Sequence, residues 1–272
     1  MKYKEYEKNS LSAYLDKLQS RGFYSFTKSA ALPLLRCTEK TFERAAGRLI
    51  QKDRLLSIKP GFFIIVPLEY KTWGSLPPEW FIKDLMAHLE LPYYVGLLSA
   101  AALYGATHQA PQQFQVMTNT VVSSIIKKKL NIRFFKNQRI EQVLFKERQT
   151  QTGTLRVSTP EATALDLVSF YKSSGYFSHI ATVLSELEEK LNPDMLIETA
   201  QKGEYEWPVI QRLGYLLSLE EVCGREDLLK PLAKWIADTK PRHVPLAPYK
   251  AYQENERESC WRIFINESIE VD

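Results

Sequence analysis

Several things are scarce in this chain, and each scarcity excludes something. Its 272 residues hold only 3 cysteines. Cys37, Cys223 and Cys260 stand far apart and form no C-x-x-C pair, which excludes a disulfide framework or a zinc knuckle in favour of free thiols. There are 4 histidines, and His88, His108, His179 and His243 form neither an H-x-x-x-H nor an H-E-x-x-H pair. No G-x-S-x-G, Walker-type or G-x-G-x-x-G stretch occurs, so no nucleophile elbow, phosphate loop or dinucleotide fingerprint is expected. Gly74-Ser75 is followed by no alternating aspartates of the kind that hold magnesium in a nucleotidyltransferase. Glu186, Glu188 and Glu189 fall in one helical stretch and read as a solvated face. The expectation is a protein that is not an enzyme, with no metal and no cofactor. No apolar run approaches the ~20 residues that span a bilayer, and MKYKEYEKNS has no apolar signal core. No membrane partner and cytoplasmic residence are therefore expected.

What is present is an ordinary core-forming composition, 44% hydrophobic and 25% charged, in a chain long enough for two domains. The net charge of +4 hides an asymmetry. Residues 1–66 hold 13 Lys and Arg against 6 Asp and Glu, a balance of +7, and the remainder balances at −3. A basic N-terminal third suits a polyanion, because each phosphate neutralised releases condensed counterions.

That third contains the most informative stretch, Thr27 to Pro67. It reads as a short helix, a turn at Leu34–Cys37, a longer helix and a β-hairpin, the order of a helix-turn-helix followed by a wing. In the second helix Phe42, Ala45, Ala46, Leu49 and Ile50 make an apolar stripe, while Lys40, Arg44 and Arg48 recur every fourth residue as a basic row. Thr27 and Thr38 are placed as N-caps. If the module reads DNA, base edges fall to Thr38, Lys40, Thr41 and Arg44, with Arg44 suited to a bidentate bond to guanine. Arg48, Lys28 and Arg36 suit phosphates, and Lys59 at the hairpin tip suits a phosphate or the minor groove. The expected domains are a winged helix-turn-helix at 1–70 and a larger α+β domain at 71–272, helical mainly over 158–237.

Further along, a helix is expected from about Ser10 to Arg21, an extended link at Phe23–Phe26 that pairs with the hairpin, and helices at Glu79–Leu89 and Val95–Tyr104. Strands are expected at Phe114–Thr118, around Ile132–Phe134 (alternating with Arg133 and Phe135), at Val143–Phe145 and Leu155–Val157, and at Cys260–Ile265. Ser158 and Glu161 have capping-box spacing. A helical run follows to Trp235, broken at Asn192-Pro193, Gly203, Gly224 and Pro231. Lys127, Lys128, Lys129, Arg133, Lys136 and Arg139 form a candidate second basic surface for nucleic acid, or equally a lysine-guarded edge strand. Asp166, alone on an apolar helix, reads as a buried group capping a neighbouring turn rather than a functional acid.

Three pieces together, the basic winged helix, YYVGLLSAAALYGATHQ at 93–109 and STPEATALDL at 158–167, resemble the AbiEi antitoxins of type IV toxin–antitoxin systems. The resemblance covers most of the chain; Tyr104 stands where many relatives are expected to carry histidine. It implies a transcriptional autorepressor that binds its own operator as double-stranded DNA through the N-terminal domain. It also implies a C-terminal domain that counters a cognate AbiEii nucleotidyltransferase toxin without needing a stable complex. The residues alone leave a second reading, a winged-helix adaptor that binds protein or RNA and has no antitoxin role.

Overall fold

The computed structural model describes residues 10–107, 111–252 and 256–271. Of the four histidines, His108 lies outside them. The fold is α+β, with 10 α-helices and three sheets among the described residues. The chain divides into two compact units. Unit 1 takes the residues up to Tyr93 with Thr118–Lys136 and Glu147–Arg156; unit 2 takes Tyr94–Met117, Asn137–Lys146 and everything from Val157 on.

Unit 1 begins with α1 (Leu11–Gln19), whose N-cap Ser10 accepts from the Ala13 amide at 3.2 Å. Leu11 and Leu15, one turn apart, are its buried residues. After Gly22, at φ +78, comes β1 (Ser25–Thr27), then α2 (Lys28–Leu35) and α3 (Glu39–Gln51). The hairpin of β2 (Leu55–Lys59) and β3 (Phe62–Ile65) closes the group, turning at Gly61 with φ +75. Strand β1 pairs antiparallel with β3, Phe26 opposite Phe63, giving a three-stranded sheet in the order β1-β3-β2.

Aromatic packing joins these pieces. The Phe63 ring stacks on Phe26 at 5.4 Å and meets Phe42 of α3 edge-on at 5.5 Å. Tyr14 of α1 meets Phe26 at 5.6 Å. Each such ring removed from water stabilises by about 1.5–3 kcal/mol, so the cluster fixes α3 against the sheet. The apolar stripe of α3 is narrower than its spacing suggests. Phe42 and Ala46 are buried, Ala45 and Leu49 half-buried, and Ile50 is 37% exposed.

A short 3₁₀ turn at Pro78–Trp80 precedes α4 (Ile82–His88), where Phe81 and Leu85 are buried and Leu89 only half so. Next come β4 (Tyr93–Val95), α5 (Leu97–Leu103), β5 (Phe114–Thr118), β6 (Ile125–Lys127), β7 (Leu130–Lys136), β8 (Phe145–Thr150) and β9 (Gly153–Ser158). Within unit 1, β6 pairs antiparallel with β7, and within unit 2, β4 runs parallel to the end of β9. The expected helix from Val95 therefore starts two residues later, because Tyr93–Val95 belongs to the sheet, with Val95 parallel to Val157. In the basic lead-in, Lys127 ends β6 opposite Leu130, and Lys128-Lys129 make the hairpin turn to β7, with Lys128 left-handed at φ 53. In β7 Ile132 is buried as expected, but the alternation then slips: Phe135 is buried and Phe134 only half so. The strand expected at Val143–Phe145 begins only at its last residue.

In unit 2, α6 (Pro160–Ser169) is buried along almost its whole length. It packs with α5 and with α7 (Tyr176–Leu187), α8 (Pro193–Lys202) and α9 (Trp207–Leu217); α10 (Glu226–Thr239) lies against α8 and α9. The capping box expected at Ser158 is replaced by a simpler cap. Thr159 accepts from the Ala162 amide at 3.2 Å, Ser158 ends β9, and Glu161 Oε1 accepts from the Asn192 amide at 3.0 Å. Pro231 sits inside α10 and does not break it. The closing strand is shorter than expected: β10 (Val244–Pro245), β11 (Arg257–Glu258) and β12 (Ile263–Phe264) make a small sheet in the order β10-β12-β11. The buried Gln211 and Arg212 of α9 bond this segment, Gln211 Nε2 to the Arg242 and Arg262 carbonyls and Arg212 Nε to the Leu246 carbonyl.

Candidate nucleic-acid interface

Helix α3 starts at Thr38, whose Oγ1 accepts from the Thr41 amide at 3.3 Å and lies 2.9 Å from Thr41 Oγ1. The two hydroxyls expected to contact bases thus meet each other at the helix start. Beyond them Lys40, Arg44 and Arg48 are all exposed, and none of their side chains forms a hydrogen bond or ion pair with a described residue. Four-residue spacing sets the three cations on one line along the face turned from Phe42 and Ala46.

The other expected cations are placed differently. Lys28, the first residue of α2, is half-buried and reaches both Glu39 at 2.9 Å and Glu43 at 2.8 Å, so its charge is met by α3's own acids. Those contacts raise its pKa, led by the hydrogen bond to Glu43. Arg36 is exposed and caps α2 in the left-handed conformation at φ 50. Lys59 is half-buried and donates to Ser123 Oγ at 2.8 Å and to the Ser123 carbonyl at 3.0 Å; burial lowers its pKa.

The second basic group separates into parts. Lys127, Lys128 and Lys129 belong to unit 1 and are each engaged within it. Lys127 Nζ donates to the Ser57 carbonyl, Lys128 pairs with Asp53, and Lys129 Nζ lies 4.6 Å from the centre of the Trp73 ring. Arg133 stacks over Phe135 at 5.2 Å and Lys136 is exposed. Arg139 belongs to unit 2, where it donates to the Glu204 carbonyl. Asp53, Ser57, Trp73 and Ser123, the partners of these lysines, were not singled out from the sequence. Separations of about fifty to seventy-five residues leave no local signal of such contacts.

Unit 2 has one unusual polar centre. Asp166, fully buried on α6, accepts from Tyr94 Oη at 2.8 Å and from Tyr205 Oη at 2.8 Å. Asn137 Nδ2 in turn donates to Tyr94 Oη at 3.0 Å. Desolvation pushes the Asp166 carboxyl up to about 6, the two tyrosine hydrogen bonds working against it. The expected turn cap is thus a bridge between two phenols. The carboxyl is fully buried, with one phenol on each oxygen. Among the described residues no group of three or more His, Cys, Asp and Glu could hold a metal, and no helix is long and apolar enough to cross a membrane.

Comparison with known proteins bears on unit 2 most directly. Residues 94–219 match the AbiEi antitoxin C-terminal domain. That span contains Tyr94, Asn137, Asp166 and Tyr205, and both 158–167 and most of 93–109. No curated protein sequence matches the chain. The crystal structure of the RV2827C protein from Mycobacterium tuberculosis is similar over 93% of this chain and 90% of that one, with a TM-score of 0.66 at 13% identity. At that identity the likeness is one of fold. Over residues 94–219, then, the chain is similar to the C-terminal domain of the AbiEi antitoxins.

Proposed function

We propose that this protein is an antitoxin and a DNA-binding transcriptional autorepressor, reading its own operator through α3 as the recognition helix of a winged helix-turn-helix at residues 1–70. The supporting observation is the row Lys40, Arg44 and Arg48, exposed and without a partner among the described residues, on one face of a helix whose other face is buried. A surface helix with a line of unsatisfied cations is matched to the phosphates and guanine edges of a major groove. Thr38 and Thr41 at its N-terminus sit where side chains meet bases, and Arg36 flanks them. Lys28 acts by holding α2 to α3 and neutralising Glu39 and Glu43, not by free contact with phosphate. Lys127–Lys129 belong to the same unit but are engaged by Ser57, Asp53 and Trp73, and Arg139 belongs to unit 2.

The rest of the chain, 71–272, carries the antitoxin activity against an AbiEii-like nucleotidyltransferase toxin, in the cytoplasm and without a catalytic step of its own. Two assays test the pair of roles. A mobility-shift assay with DNA from upstream of the gene should show binding that Lys40→Ala, Arg44→Ala and Arg48→Ala together abolish. Co-expression with the product of the neighbouring gene should restore growth. Binding unaffected by the triple change, or growth arrest that co-expression leaves in place, contradicts the corresponding role.

A further inference from the structure

The hairpin proposed as the wing does not present a free lysine. Lys59 donates twice to Ser123, at 2.8 and 3.0 Å. Ser123 belongs to the 119–129 arm, which the same unit binds at three more points: Lys127 on the Ser57 carbonyl, Lys128 on Asp53, and Lys129 over Trp73. The Lys128 stem also lies over Gly74, a buried glycine at φ +69 where a Cβ would run into it. Four ammonium groups at the hairpin and its flank are thus each met by an intramolecular partner, whereas Lys40, Arg44 and Arg48 are met by none among the described residues. We propose that the 119–129 arm is a strap that holds the hairpin lysine away from nucleic acid, so that Lys59 reaches phosphate only by leaving Ser123. This rests on the DNA-binding reading above and adds its regulation: α3 engages first, and the wing reaches DNA at the cost of the strap's hydrogen bonds.

A charge-neutral cycle on the full chain tests the strap. Ser123→Gly removes the Oγ acceptor without altering any charge, on an exposed residue where folding is not at stake. It should tighten operator DNA binding roughly fivefold, the scale of one hydrogen bond, and have no effect when Lys59 is already Gln. A second readout needs no DNA: acylation of lysines by a water-soluble ester, followed by mass spectrometry. Lys59 should react more slowly than Lys40 in the unaltered chain and faster after Ser123→Gly. Equal reactivity of Lys59 and Lys40, or a Ser123→Gly chain that binds DNA no more tightly, overturns the strap. Binding that survives loss of Lys40, Arg44 and Arg48 overturns the DNA reading instead, and leaves the acylation result to decide the strap alone.

Discussion

Tyr94 Oη stands 2.8 Å from Asp166 Oδ2 in the interior of unit 2, and Tyr205 holds the other carboxylate oxygen at the same distance. Two phenols satisfy the acid's hydrogen bonds but do not neutralise it, so burial dominates and its carboxyl is lifted from 3.8 to about 6. A carboxyl raised in the folded state binds its proton more tightly there than in the unfolded chain. Stability from this group is therefore lost as pH rises from about 4 to 6, by about 3 kcal/mol in all. Denaturant titrations across that range should show the slope, and Asp166→Asn should flatten it.

Asp166→Ala is a different case, because both tyrosine hydroxyls lose their acceptor in a dry interior. Each buried unsatisfied group costs about 1–3 kcal/mol. The alanine chain should unfold at clearly lower denaturant than the asparagine chain at neutral pH. Equal midpoints would show that the bridge is not what holds Tyr94 and Tyr205.

Gly214 of α9 has no room for a side chain. A Cβ there would enter the ring of Trp261, itself 3% exposed. Gly214→Ala should cost about 1–3 kcal/mol through overpacking, despite alanine's better helix propensity, and differential scanning calorimetry would register it. A gain in Tm would contradict the packing of the C-terminal segment on α9.

In α3, Thr38→Ala removes the cap on the Thr41 amide and should lower stability by about 1 kcal/mol. Lys28→Gln tests the electrostatic role given to that residue. It should weaken DNA binding by leaving Glu39 and Glu43 unneutralised, and adding Glu39→Gln and Glu43→Gln should restore it. Failure of the restoring pair would mean that Lys28 touches phosphate directly.

Local pattern carried much of the fold. Thr27 and Thr38 were legible as caps because capping is decided within three residues, and both accept from the amide three positions on. The pairing of Phe26 with the hairpin was legible because such a link often pairs with the hairpin in winged domains, and Phe26 lies opposite Phe63. Where tertiary contacts decide, the pattern misled. Tyr93–Val95 has helical neighbours but is drawn into the sheet by Val157, and Glu161 leaves its capping position for the Asn192 amide. The candidate site divides in the same way. Lys40, Arg44 and Arg48 follow from helical spacing alone, while Lys28 and Lys59 have partners that spacing does not reveal.

The central claim, that α3 reads DNA through its exposed cations, is tested most directly by the salt dependence of operator binding. The logarithm of the binding constant should fall linearly with the logarithm of salt concentration between about 50 and 200 mM. Lys40→Ala, Arg44→Ala and Arg48→Ala together should make that slope shallower by about 2 to 3, at about 0.9 for each phosphate no longer neutralised, with affinity dropping to the non-specific level. A triple variant with the slope and affinity of the unaltered chain would contradict the account.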